Sequence, residues 1–147
     1  MRRKHFYIFV SVLSALFLTT AAQAADCPDH AQKRSPAQVL QDHVSALLSG
    51  NLDRIACDYD EDAVIITPGN VVSGHDQIKA YYASIFRLMG GPGNLEAVSV
   101  TTSGTVLLLE WTLDSPHLVV GDGTDTFVIE KGRISYQTVK LGKVMFP

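Results

Sequence analysis

Two side chains in this sequence combine an ionisable group with an inward-facing position. His43 stands between Leu40 and Leu47 on an apolar stripe with helical spacing, so its imidazole points toward the interior. An imidazole there can take or give a proton near neutral pH and is the best base the chain offers. A core histidine bonded to a backbone carbonyl is the other reading of the same position. Asp125 opens a run in which Phe127 and Ile129 follow at a spacing of two, and alternation puts the three on one face of a strand. Where Phe127 faces inward, so does the carboxyl. Desolvation would then raise its pKa until it can act as an acid or hydrogen-bond donor. The competing role is a turn aspartate that caps residues 121–124.

Other chemistry-bearing residues are read against these two. Glu110 and Trp111 adjoin on one strand and must face opposite ways; with Leu107, Leu109 and Trp111 inward, Glu110 points out toward a cation or a subunit contact. Tyr59, Tyr81, Tyr82, Phe86 and Trp111 are of the types that fill cores, with one or two left to narrow a pocket mouth. His75, Asp76 and His117 fall at capping or loop positions, and His30 falls in the N-terminal leader. No Gly-x-Ser-x-Gly elbow and no phosphate-cradling glycine loop is present. Two cysteines and no matching histidine spacing make no zinc site, so no metal and no cofactor are expected.

The elements that must position these residues follow from patterning. The first 24 residues place Arg2, Arg3 and Lys4 before an apolar run from Phe6 to Leu18 and close on Ala22-Gln23-Ala24. This is the pattern of a secretory signal peptide cleaved after Ala24. The run of about 13 residues is short of the roughly 20 that span a bilayer, and Cys27 follows Asp26 rather than the small residue that precedes a lipidated cysteine. A periplasmic or secreted protein with no membrane attachment after cleavage is expected. Three of the 12 cations and none of the 15 acids lie in that segment, so the mature chain carries nine cations against 15 acids, net −6. With no basic stripe, nucleic acid is not an expected partner. Cys27 and Cys57 survive cleavage into an oxidising compartment and are expected to form a disulfide.

Residues 25–34 are polar and aperiodic and read as a flexible leader. Ser35-Pro36 then opens a helix on which Val39, Leu40, Val44, Leu47 and Leu48 form the stripe, and Gly50 stops it. Asn51 caps a short second helix, Leu52 to Cys57. Residues 63–67 read as a strand broken by Pro68-Gly69-Asn70, and residues 75–88 as a third helix ended by the Gly90–Asn94 turn. Strands follow at 95–102, 104–113, 124–131 and 133–141, with turns at Gly104, at Asp114 to Gly123 and at Lys131-Gly132. Three helices, one strand and an antiparallel meander give an α+β domain over 35–142, a curved sheet packed around helices.

The order of these elements resembles the nuclear transport factor 2-like superfamily, with its SnoaL-like and ketosteroid isomerase-like domains. The resemblance rests on residues 43–53 (His43, Gly50, Asn51, Asp53), 62–64, 74–78, 125–129 and 132–134. It implies a cone-like fold with a deep apolar pocket between the helices and the concave sheet face. The isomerase family keeps a tyrosine in the first helix, a base aspartate after the first strand and a second acid on the sheet; by spacing these fall on His43, Thr67 and Asp125, of which only the last is retained. Thr67 cannot ionise at neutral pH, which argues against that mechanism. The epoxide hydrolase family places an arginine two residues before its sheet acid, where this chain has Gly123. The family register also puts the Gln137 amide near Asp125.

The expected pocket residues are therefore Tyr59, Thr67, Tyr82, Phe86, Trp111 and Phe127 around His43, Asp125 and Gln137. Two functions remain open. One is a non-catalytic module that binds a small apolar molecule or serves assembly. The other is an acid–base enzyme of isomerase, cyclase or dehydratase type, with His43 as base and Asp125 with Gln137 polarising an oxygen. A homodimer through the outer sheet face is expected from the excess of apolar residues between Val98 and Leu113.

Overall fold

The structure, a computed structural model, describes Cys27 and residues 33–147. The signal peptide expected at 1–24 and most of the leader lie outside the described residues. Helix α1 (Pro36–Ser49) starts on a capping box in which Ser35 accepts from the Gln38 amide while the Gln38 side chain accepts from Ser35, and it ends on Gly50 in the left-handed region. These are the partners that free helix-end amides and carbonyls require. Asn51 caps α2 (Leu52–Cys57) through the Arg54 amide. Helix α3 (Gly74–Met89) closes on Gly90, also left-handed.

Strands β1 (Tyr59–Thr67), β2 (Asn70–Ser73), β3 (Asn94–Ser103), β4 (Val106–Asp114), β5 (Val119–Glu130), β6 (Arg133–Leu141) and β7 (Val144–Met145) form one sheet in the order β2-β1-β6-β5-β4-β3, with β7 on the start of β5. Only β1 and β6 run parallel; the remaining pairs are antiparallel. Register shifts between Ala97 and Ser99, Trp111 and Leu113, and Val128 and Ile129 mark bulges, which bend and twist the strands that carry them. The result is the expected α+β architecture, an open curved sheet with the helices in its hollow.

Pairing fixes which residues share a face. Val72, Ile65, Gln137, Phe127 and Leu107 stand in one row across β2, β1, β6, β5 and β4, and all five are buried against the helices. Burying a side chain such as Phe127 contributes about 1.5–3 kcal/mol, so this row anchors the helical layer. The stripe of α1 buries Val39, Leu40, His43 and Ala46, while Leu48 stays largely exposed.

Three differences from the sequence reading have physical causes. Pro68-Gly69 is the turn expected there, with Gly69 at φ 80, the geometry of a type II turn, but Asn70 already belongs to β2, a strand the sequence reading did not contain, and the turn closes a β1–β2 hairpin. Strand β5 begins at Val119 instead of residue 124, because Gly123 makes room for the Trp111 ring and Gly121 donates its amide to the Lys143 carbonyl beside β7, so neither forms a turn. Arg34, placed in the leader, is fastened to the domain: its Nε and Nη2 donate to the Gly132 carbonyl, and its Nη1 donates to Asp42 and to Asp58 Oδ1 at 2.6 Å. The Cys27–Cys57 disulfide is present and closes a separation of 30 residues.

Candidate functional site

A cavity of about 180 Å³ opens between α1, α3 and the concave face of β4, β5 and β6. Its wall is apolar except at one corner, where Asp125, Gln137 and Trp111 meet. Asp125 and Val139 are paired across β5 and β6, and Asp125 and Leu109 across β5 and β4, so the carboxyl rises from the middle of the inner face. Trp111 lies two residues further along β4, opposite Gly123. A Cβ on Gly123 would run into the indole ring, so the missing side chain lets the ring lie flat over β5 and reach the carboxyl.

Asp125 is 8% exposed. Its Oδ1 accepts from Trp111 Nε1 at 3.0 Å and its Oδ2 from Gln137 Nε2 at 2.8 Å. Burial pushes the carboxyl up from 3.8 to about 6, against the pull of the Trp111 and Gln137 donors and the His43 charge. Two donors to the ionised form are too few to offset the desolvation. A carboxylate only accepts, so it fixes the Gln137 amide with its NH₂ toward Asp125 and its Oε1 away.

Gln137 Oε1 accepts a short hydrogen bond from the Tyr59 hydroxyl, and Tyr82 Oη lies 2.7 Å from Tyr59 Oη. With the Tyr59 proton committed to Gln137, the Tyr82 hydroxyl donates to Tyr59. Burial first, with Tyr82 and Asp125 nearby, holds Tyr59 well above its ordinary value; burial and Asp125 likewise raise Tyr82. Both remain protonated donors. Behind them His43 is buried, its Nε2 at 3.4 Å from Tyr82 Oη and 3.5 Å from Tyr59 Oη, and its Nδ1 at 3.7 Å from Asp58 Oδ2 without a hydrogen-bond partner. A continuous polar column thus runs from Arg34 through Asp58, His43, the two tyrosines and Gln137 to Asp125.

The structure brings five of the expected site residues to the cavity wall: Asp125, Gln137, Trp111, Tyr82 and Phe86. His43, Tyr59 and Phe127 lie outside the lining, with Tyr59 and Phe127 each packed edge to face against the His43 imidazole. His43 is therefore not placed to touch a cavity ligand, because Tyr59 and Tyr82 stand in front of it. Thr67 pairs with Asn70 at the β1–β2 turn and does not line the cavity. Glu110 faces out, where Ser99 donates to it, as the favoured register required. Sequence reasoning missed Asp58 and Arg34; neither lies on a periodic stripe, and the 24 residues between them hide the pairing. Among the described residues no three His, Cys, Asp or Glu side chains converge to hold a metal ion.

The sequence profile of the SnoaL-like domain matches residues 40–137. No curated protein is similar enough in sequence to match the chain. Among solved structures, an NTF2-like protein of unknown function from Burkholderia xenovorans is similar at 17% identity and TM-score 0.64, covering 74% of this chain and 83% of that one. A protein from Sinorhizobium meliloti proposed to be a polyketide cyclase is 20% identical with TM-score 0.63 over 80% of this chain and 99% of its own. SalBIII, an epoxide hydrolase/cyclase-like enzyme of pyran ring formation in salinomycin, is 15% identical with TM-score 0.67 over 80% and 99%. At these identities the likeness is one of fold.

Proposed function

Because this chain belongs to the SnoaL-like family, in which one fold serves many chemistries, we propose its function from the cavity itself: it is an exported protein that binds a small, largely apolar molecule, with Asp125 as the polar anchor. The observation that carries this reading is the single carboxyl group in an otherwise apolar wall, its two oxygens held by Trp111 and Gln137. Such a cavity desolvates an apolar ligand while one fixed group sets its orientation. A cavity of about 150 Å³ accommodates a benzene ring, so 180 Å³ suits a ligand with one ring or an equivalent branched group inside.

Turnover has less support. The anticipated base, His43, stands behind the wall, and the Tyr59 and Tyr82 hydroxyls donate into the buried network rather than toward the cavity. Asp125 would have to exchange protons with a substrate alone. That second reading rests on the place of Asp125 itself: the carboxyl is buried and lines the cavity, and burial pushes it up to about 6, toward the pH at which general acid–base groups work best. Export is supported by the N-terminal pattern and by the Cys27–Cys57 disulfide, since disulfides persist in oxidising compartments.

Native mass spectrometry of protein purified from its host should show a retained small molecule that is absent from Val139→Phe, a substitution that fills the cavity from its wall. Apolar ring compounds should quench Trp111, the only tryptophan in the chain, in the native protein and not in that variant. Absence of both signals from the native protein would overturn the binding reading, and conversion of a bound compound at an Asp125-dependent rate would replace it with the enzymatic one.

A further inference from the structure

We propose that the ligand is a small organic cation, a tertiary or quaternary ammonium, with its charge against the Asp125 carboxylate and its apolar substituents against Tyr81, Tyr82, Phe86 and Trp111. The proposal rests on the binding reading above and names the chemical class that reading leaves open. Asp125 is the one charged residue among the described residues that line the cavity, and both groups bonded to it, an indole and a carboxamide, are neutral. Each carboxylate oxygen uses one of its two acceptor directions on these donors. Arg34 is spent on Asp42 and Asp58 at the far end of the column, and the His43 imidazole, whose charge acts on Asp125 only from a distance, bonds to the Tyr59 and Tyr82 hydroxyls and not to the carboxyl. A buried carboxylate in this setting has no cation in contact with it, a place that a neutral hydroxyl fills only as a dipole and a cation fills in full.

The walls favour the same class. Tyr81 and Tyr82 are neighbours on α3 and Phe86 follows one turn later, with ring centroids 5.3 Å apart for Tyr81–Tyr82 and 6.4 Å for Tyr82–Phe86, and Trp111 lines the cavity from β4. Aromatic faces carry negative quadrupole density that attracts ammonium groups and repels anions, and alkylated ammonium groups shed water at low cost. An apolar wall with one carboxylate and four rings is therefore selective by charge. Anions are excluded, and a neutral molecule of the same shape gains the apolar contacts without the electrostatic term.

Phenyltrimethylammonium and tert-butylbenzene have the same shape and differ by one charge, so they isolate that term. In the native protein, Trp111 fluorescence should report the cation binding at least about tenfold more tightly at pH 7.5, and Asp125→Asn should abolish the preference. Lowering the pH to 5 should weaken cation binding about tenfold as Asp125 takes up its proton, while the neutral probe changes little. The other ionisable groups facing Asp125 are Tyr81 and Tyr82 from α3, Tyr59 from β1 and His43 from α1; the tyrosines stay protonated over this range, and repeating the titration in His43→Gln assigns the midpoint. This pH dependence tests the proposal in the unsubstituted protein should Asp125→Asn fail to fold. Competition by free choline or by phosphatidylcholine vesicles distinguishes a soluble amine from a lipid headgroup, and either supports the class. If tert-butylbenzene binds as tightly as the cation or more so, the cation proposal falls and the apolar-pocket reading stands. If neither probe binds, both fall.

Discussion

At the scale of single residues, Asp125 is held at a cost to the fold. Its pKa is raised from 3.8 to about 6, so the folded state binds the proton more tightly than the unfolded chain. The associated stability is full below about pH 4 and is lost as the pH rises through 6. Asp125→Asn removes the titration, so the stability of the variant relative to the native protein should rise by roughly 2 kcal/mol between pH 4 and pH 7.5. Urea unfolding at the two pH values checks this, and equal differences at both would refute the assignment of the titrating group. Gly123 is the counterpart that shapes the corner. Gly123→Ala puts a methyl group into the Trp111 ring, and overpacking of this kind costs about 1–3 kcal/mol. The indole should tilt away from Asp125, giving a red-shifted emission and a lower Tm.

The site residues differ in how far sequence could reveal them, for reasons these two positions illustrate. Asp125 and Trp111 were legible because strand alternation ties each to apolar neighbours two positions away. Gly123 reads as a turn glycine in sequence, since nothing local distinguishes freedom of the backbone from room for a ring on the next strand. The α1 stripe turns His43 inward, and the side chain is buried in the fold, yet periodicity cannot say what stands between an inward side chain and a cavity. Tyr59 and Tyr82, 23 residues apart, block it through a contact that only the tertiary fold creates.

At the scale of elements, helix caps and turn glycines made α1, α2 and α3 readable to within a residue or so, and the meander was clear from its change of period. The parallel β1–β6 pairing and the short β2 and β7 strands carry no comparable signal, because pairing partners far apart in the chain leave no local pattern. The leader shows how a polar, aperiodic segment can still be structural: Arg34 reaches the Gly132 carbonyl and the buried Asp58, and the disulfide ties Cys27 to the end of α2. Closing a loop of 30 residues restricts the unfolded chain by about 3–4 kcal/mol. Replacing both cysteines by serine should lower stability by that order in denaturant unfolding. Thiol titration of non-reduced native protein should find no free thiol; two free thiols would refute the pairing.

At the scale of the whole molecule, the outer sheet face is the feature that one chain does not explain. An antiparallel sheet with one solvated face alternates apolar inward with polar outward, yet Val64, Tyr136, Val128 and Val106 stand side by side across β1, β6, β5 and β4, with Ile66 and Val71 paired beside them. Tyr136 is 52% and Val71 60% exposed, and Val98 at the β3 bulge is 66% exposed. We propose that a second copy of the chain covers this face, since a self-complementary row buried about a two-fold axis removes the same apolar residues from water in both subunits. Stable interfaces cover about 800 Å² per partner, an area that a face of this many strands can supply. The helices and the cavity occupy the opposite face, so dimerisation leaves the site open. Light scattering at micromolar concentration should give twice the chain mass. Tyr136→Lys combined with Val98→Lys should yield a folded monomer that still binds cavity ligands, because both side chains are already exposed in the single chain and neither lines the cavity. A native protein that stays monomeric under those conditions would leave the apolar row without this explanation.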